Sequence, residues 1–247
     1  MHHFFVSPDQ VDKEYVTISG NDVNHIRNVL RMKQNDKILV SNGQDKDFYC
    51  SIESISEDEI RARILDVDFE GTELNSKLYL FQGLPKSDKM ELIIQKAVEL
   101  GATRIIPVAT KRCVVKLDEK KETSKIKRWQ AISESAAKQS RRMIIPEVSG
   151  VMSFKDAINY VKTLDLGIIP YENYKDMETT KKILSNVGKD MEIGIFIGPE
   201  GGFEESEIQY AMDNGVKPIS LGKRILRTET AGLAILSVLM FSLENND

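Results

Sequence analysis

The chain is poor in the residues that staple or metallate a protein. Of its 247 residues only two are cysteine, Cys50 and Cys113, and three are histidine, at positions 2, 3 and 25. Two cysteines cannot build a disulfide framework, so both are read as reduced. No histidine or cysteine set has metal-ligand spacing, and no metal is expected. Long apolar runs are missing too. The longest, 231–243, is interrupted by serines and too short to span a bilayer. Residues 1–6 lack the basic region and apolar core of a secretory leader. Neither GxGxxG nor GxxxxGK[ST] occurs, which weakens dinucleotide, dehydrogenase and P-loop readings. What these absences leave is a soluble cytoplasmic protein of one large or two modest domains. An apolar content of 41% is enough for real cores.

Net charge is −4, which by itself argues against a polyanionic partner. The charge is unevenly spread, however. Residues 86–142 hold 15 Lys/Arg against 7 Asp/Glu, whereas 1–71 hold 8 against 14 and 143–247 hold 10 against 16. A basic centre between acidic flanks suits RNA, and equally suits a solvated lysine-rich helix face.

Two stretches near the C-terminal end carry most of the chemistry. One is Glu192-Ile-Gly-Ile-Phe-Ile-Gly-Pro-Glu-Gly-Gly-Phe203. The other is Ile219-Ser-Leu-Gly-Lys-Arg-Ile-Leu-Arg-Thr-Glu-Thr-Ala231. Each starts as a short apolar run, turns on small residues and gives way to a helical pattern. In an α/β sheet that places both turns at strand carboxyl ends, where ligands bind. Glycine lets a ligand approach the backbone closely, and proline stiffens the turn. Taken alone, Gly198-Pro-Glu-Gly-Gly202 is also compatible with a surface turn.

Together, Ile197-Gly-Pro-Glu-Gly-Gly-Phe203 and Leu221-Gly-Lys-Arg-Ile-Leu-Arg-Thr-Glu-Thr-Ala231 resemble the ribosomal RNA small-subunit methyltransferase E family of the SPOUT superfamily. The resemblance implies S-adenosylmethionine as cofactor and methylation of N3 of a uridine in 16S ribosomal RNA. It implies an α/β fold: a C-terminal SPOUT-type parallel sheet with helices on both faces and a deep trefoil knot, plus a small N-terminal PUA-like β-barrel. It also implies a homodimer formed through the C-terminal domain. No periodicity in the chain predicts a knot, and true knots are nearly absent from proteins. The expected division is 1–70 for the RNA-binding domain, 71–77 for a linker and 78–247 for the methyltransferase domain. The rival readings are another SPOUT RNA methyltransferase, acting on transfer RNA or ribose 2′-O, and a non-catalytic RNA-binding or assembly protein.

Along the first domain, strands are predicted at 15–18, 37–40, 48–52 and 60–65, with an Asn42-Gly43 hairpin signal. A helix is predicted from about 21 to 32, with Val23, Ile26 and Leu30 buried. Arg27 and Arg31 would share a face of that helix, with His25 and Lys33 nearby. Such a basic spot suits phosphate, although helix-surface arginines are common. The run His25-Ile-Arg-Asn-Val-Leu-Arg-Met32 resembles the family's RNA-binding domain and favours the first use. Strands and helices then alternate from residue 78, predicting a parallel sheet. Ser87 is the predicted cap of a helix ending before Gly101, with Met90, Ile93, Ile94, Ala97 and Val98 on the sheet. Arg112 follows a strand end. Gln139, Ser140 and Arg142 fit a Glu-Gln-Cys/Ser-x-Arg family pattern, with Lys138 in place of the acid. Arg27, Arg31, Lys33, Arg112 and Arg142 are therefore the RNA-binding candidates. From 228 to 243 the final helix is apolar nearly all round, so burial is predicted, by this chain or a second copy.

For the cofactor, the resemblance implies three loops. The first carries Tyr171, in Pro170-Tyr-Glu172. The second carries Ile197, Gly198, Pro199, Glu200, Gly201 and Gly202. The third carries Leu221, Gly222, Ile225, Leu226, Arg227, Thr228, Thr230 and Ala231. Backbone groups would hold adenine and ribose, and Ile197, Ile225 and Leu226 would form a dry slot. Arg227 and Glu229 are the catalytic candidates. An arginine can stabilise charge on a uracil but is no general base. Glu229 could orient Arg227, accept a proton, or only cap the last helix. The hydroxyls of Thr228 and Thr230 suit a helix start.

Overall fold

A computed structural model of the chain describes residues 1–69 and 71–244. The predicted domain limit at Glu70 and the C-terminal residues 245–247 lie outside the described residues. The chain divides into two units. One contains Met1–Glu73 together with Ala137–Ile145, and the other contains Leu74–Ala136 and the chain from Pro146 onward.

The first unit is a five-stranded sheet in the order β1-β3-β4-β5-β2. Its strands are β1 (His2–Phe5), β2 (Tyr15–Ser19), β3 (Lys37–Ser41), β4 (Asp47–Ile55) and β5 (Glu59–Asp68). Alternation drives it: Val16, Ile18, Ile38, Val40, Cys50, Ile52, Ile60 and Ala62 belong to one core, and the residues between them in the strands lie outside it. Register shifts at Tyr49/Cys50 and Ile52/Ser54 bend β4 against β5. The sheet curls around this core, and no pairing between its edge strands β1 and β2 is seen among the described residues. The β1 strand was not predicted. It is four residues long and pairs in parallel with β3, a partner remote in sequence. The strand β5 also reaches Asp68, beyond the predicted strand at 60–65.

The predicted helix at 21–32 is shorter and wider. An α-turn, α1 (Asn21–Asn24), continues as a π-turn over His25–Val29. Leu30 N–H then closes on His25 O at 2.9 Å, and Arg31 takes φ +52°. Arg31 therefore leaves the helix in a left-handed conformation and does not share a helical face with Arg27, because one-turn spacing applies only to regular α-helix.

The second unit holds a parallel sheet in the order β12-β10-β11-β6-β7-β8. Its strands are β6 (Lys77–Gly83), β7 (Ala102–Ala109), β8 (Glu147–Val148), β9 (Met152–Ser153, paired with β7), β10 (Leu166–Pro170), β11 (Glu192–Ile197) and β12 (Lys217–Ile219). Between them run α2 (Lys89–Glu99), α3 (Glu119–Ser140), α4 (Phe154–Val161), α5 (Met177–Ser185), α6 (Glu205–Asp213) and α7 (Thr228–Glu244). Parallel strands covered on both faces read as continuous apolar runs, as Leu78–Phe81 and Ile193–Ile197 do. Phe81 stacks on Phe196 with centroids 4.6 Å apart at the centre of this core.

Two local expectations change here. Ser87 adopts φ +55°, so it turns the chain and Asp88 becomes the residue before α2. The predicted stop holds: Gly101 sits at φ +86°, a conformation glycine reaches without Cβ strain. The last helix is not buried all round. Gly232, Ile235, Leu236, Leu239 and Leu243 are buried, but Val238 and Phe241 are exposed, Phe241 at 68%. One chain covers only one side of it.

Candidate active site

Three loops leave the carboxyl ends of β10, β11 and β12, which are neighbours in the sheet. They are 171–176, 198–204 and 220–227, and they enclose a cavity of about 380 Å³. A smaller lobe of about 90 Å³ shares Pro170, Glu172, Ile225, Leu226 and Ala231 with it. This is the sheet end where the chain order reverses and where open α/β sheets bind ligands.

At Gly198 and Gly201 the second loop leaves little room for a side chain. A Cβ on Gly198 would lie 3.0 Å from the Gly202 backbone, and one on Gly201 would lie 3.3 Å from Arg112 Cβ. Gly202 takes φ +66° and its N–H donates to Pro199 O at 2.9 Å. Thr228 then ties this loop to the third. Its hydroxyl donates to Gly198 O at 2.6 Å and accepts from Gln82 Nε2 at 2.9 Å. Because Thr228 is buried, losing that hydroxyl would take the side-chain hydrogen bond from Gly198 O, while Gln82 Nε2 would keep its bond to Gly83 O at 2.9 Å. Arg112 extends along the outside and donates to Gly201 O at 2.8 Å. The loop therefore exposes backbone to the cavity while side chains brace it from behind.

Charge enters at one wall. Lys89, the first residue of α2, places Nζ 3.1 Å from Glu200 Oε1 and 3.5 Å from Glu229 Oε2. Lys86 N–H also donates to Glu200, at 3.0 and 3.3 Å. Burial pushes the Glu200 carboxyl up, but backbone N–H groups and Lys89 outweigh it and hold it below the usual value. The Glu200 hydrogen bond in turn raises the Lys89 ammonium against some desolvation. Arg227 also lines the cavity. It is exposed, and its side chain has no ion-pair or hydrogen-bond partner among the described residues. Glu229 does not hold Arg227; it faces Lys89 instead.

An RNA methyltransferase domain family matches residues 72–240, and an RNA methyltransferase PUA domain family matches 18–65. Ribosomal RNA small subunit methyltransferase E of Bacillus subtilis is 38% identical over 92% of this chain and 90% of its own length. The protein of that name from Mesomycoplasma hyopneumoniae is 33% identical over 96% and 98%. The chain belongs to the ribosomal RNA small subunit methyltransferase E family. A member from Neisseria gonorrhoeae, solved bound to S-adenosylmethionine, superposes with a TM-score of 0.85 at 31% identity, covering 98% of this chain and 97% of that one. A methyltransferase from Legionella pneumophila, also solved with S-adenosylmethionine, gives 0.84 at 31% identity and 97% of both chains.

The residues present fit that cofactor. The main cavity falls in the size range of small-molecule sites. Its apolar lining includes Ile197, Phe203, Leu226 and Ala231, against which a flat base can lie. Fourteen of the fifteen cofactor residues expected for this methyltransferase E chain meet at these two lobes. Tyr171, Leu221 and Gly222 line the smaller one and the other eleven the larger. Thr230 lines neither and is exposed on α7. Sequence reasoning missed Lys89 and the supporting Gln82. Both lie more than a hundred residues from the motifs, and only the apolar spacing of α2 marks that region.

The RNA-binding candidates scatter by environment. Arg31 and Lys33 are exposed with unpartnered side chains among the described residues. Arg27 makes only a 3.4 Å contact with Ser56 O and a 3.8 Å pair with exposed Glu57. Arg142 is different: it is 4% exposed, and its guanidinium grips Glu73, whose carboxylate also accepts from Met143 N–H at 3.0 Å. It is an interior tie rather than a surface cation, since a buried charge persists only when paired.

Proposed function

We propose that the chain methylates N3 of a uridine in 16S ribosomal RNA of the small ribosomal subunit, with S-adenosylmethionine as donor. The observation that carries this reading is the meeting of two glycine-bearing loops in one cavity, with the Arg227 guanidinium, unpartnered among the described residues, at its wall. S-adenosylmethionine supplies a methyl group on a sulfonium, whose departure leaves a neutral thioether.

The chain's own residues then have three tasks. The 198–202 backbone and the apolar lining fix the donor, and fixed alignment contributes much of the rate in a displacement. Arg227 offsets negative charge developing on the uracil oxygens. Glu229 accepts the N3 proton. Because N3 lies on the pairing edge, the base must be unpaired or extruded to reach the cavity. We assign Arg27, Arg31, Lys33 and Arg112 to RNA phosphate contact and leave out Arg142, whose charge Glu73 takes up. Residues 1–70 act as the PUA-like RNA-binding domain, 71–77 as linker and 78–247 as the methyltransferase domain, in the cytoplasm where ribosomes assemble. Support for a knotted C-terminal path comes from the chain leaving central β11 for edge strand β12 before α7 returns to β6 and β11. A second copy covers the exposed Val238 and Phe241 face of α7; a monomeric sedimentation profile at micromolar concentration would remove that part.

The test is nucleoside mass spectrometry of 16S RNA from a deletion strain. Loss of 3-methyluridine, restored by the gene, is the expected result. If 3-methyluridine persists and another methylated nucleoside disappears, the substrate is wrong.

A further inference from the structure

Lys89 stands at the cavity wall with one ammonium shared between two carboxylates. Those carboxylates come from two different segments beside the cavity: Glu200 from the turn after β11, Glu229 from the first turn of α7. The buried Oε2 of Glu229 has no hydrogen-bond partner among the described residues, so the 3.5 Å contact with Lys89 is its ionic satisfaction there. The local chain is shaped to deliver that ammonium. Ser87, at φ +55°, reverses the backbone so that Lys86 N–H and Lys89 Nζ both reach Glu200. A non-glycine residue in that conformation carries a backbone cost, and such cost tends to persist where the surroundings require it.

We propose that Lys89 is a positioning residue that clamps the 198–202 turn against the start of α7 and so holds the cofactor cavity closed to its working width. Without Lys89, Glu200 and Glu229 would face each other as like charges across the cavity wall, and their repulsion would open it. The other charged groups lining the cavity are Glu172, from the loop after β10, and Arg227. Neither is ion-paired with Glu200 or Glu229, so neither replaces the ammonium. The raised Lys89 and lowered Glu200 titrations agree with an engaged pair.

The inference rests on the S-adenosylmethionine reading. Its test uses the full-length protein and calorimetry with S-adenosylhomocysteine, a probe that needs no turnover. Lys89→Met should weaken binding about tenfold, the scale of one lost charged hydrogen bond. Lys89→Arg should keep affinity within about threefold of wild type, on the same scale. Lys89→Met combined with Glu229→Gln should bind more tightly than Lys89→Met alone, because one side of the repulsion is gone. The KM for ribosomal RNA should stay unchanged in Lys89→Met. Equal S-adenosylhomocysteine affinity in Lys89→Met and wild type overturns the clamp. So does a raised RNA KM with unchanged affinity, which would make Lys89 an RNA contact. Lys89→Gln serves if the methionine variant loses its cooperative melt. A wild-type protein that does not bind the probe overturns the cofactor reading itself, a different result from failure of the variants alone.

Discussion

The two glycine-bearing loops look alike in sequence and behave differently in the fold. The 198–202 turn is braced on every side: Thr228 holds Gly198 O, Arg112 holds Gly201 O, and Lys89 with Lys86 holds Glu200. The 222–227 segment is open. A Cβ on Gly222 would meet nothing within 4 Å, Ile225 is 87% exposed, and the side chains of Lys223, Arg224 and Arg227 have no partner among the described residues. One loop presents rigid backbone to a ligand and the other presents free side chains. A small rigid donor and a large charged acceptor are handled best by that division. Preorganised backbone loses little freedom on binding, whereas long cations gain most when a polyanion arrives.

The sharpest way to break this comparison is Arg227→Ala. If the open loop supplies charge to the reacting base, turnover should fall roughly 10²–10³-fold, as for loss of an oxyanion-stabilising donor. S-adenosylhomocysteine affinity should change little. Equal losses in turnover and affinity would make Arg227 a cofactor contact.

Next in size is Gly198→Ala, which probes the rigid loop. The added Cβ meets Gly202 backbone at 3.0 Å, and backbone cannot rotate away. Overpacking of this kind costs about 1–3 kcal/mol, which should show as a roughly ten- to hundredfold loss of cofactor affinity by calorimetry. Unchanged affinity would mean the turn is looser than its contacts imply.

The smallest effect is expected from Lys223→Gln with Arg224→Gln. Cofactor affinity should be unaffected, while the slope of log RNA affinity against log salt should flatten by about 1–2. An unaltered slope would take these cations out of the RNA interface.

Much of this was legible before the fold was seen. Apolar alternation marked four of the five strands of the first unit, and the spacing of Met90, Ile93, Ile94, Ala97 and Val98 marked the buried face of α2. Both glycine loops and their place at strand ends were legible because turn chemistry is local. Three features were not. Arg31 left its predicted face when the helix widened to a π-turn, which no residue in 21–32 signals. Arg142 matched a sequence pattern and yet lies inside, because Glu73 is almost seventy residues away in the chain. Apolar composition suggested a buried α7, but composition does not say how many sides one chain can cover.

Sequence alone determined where this chain turns, which faces are apolar and which short segments end strands at the cavity, since each depends on backbone preferences and spacing within a few residues. Tertiary structure decided which charges are spent and which are free. Arg142 and Lys89 are neutralised by carboxylates from distant segments, while Arg227 is left with its charge exposed. A charge's effect depends on its partners and its burial, and both are set only when remote parts of the chain come together.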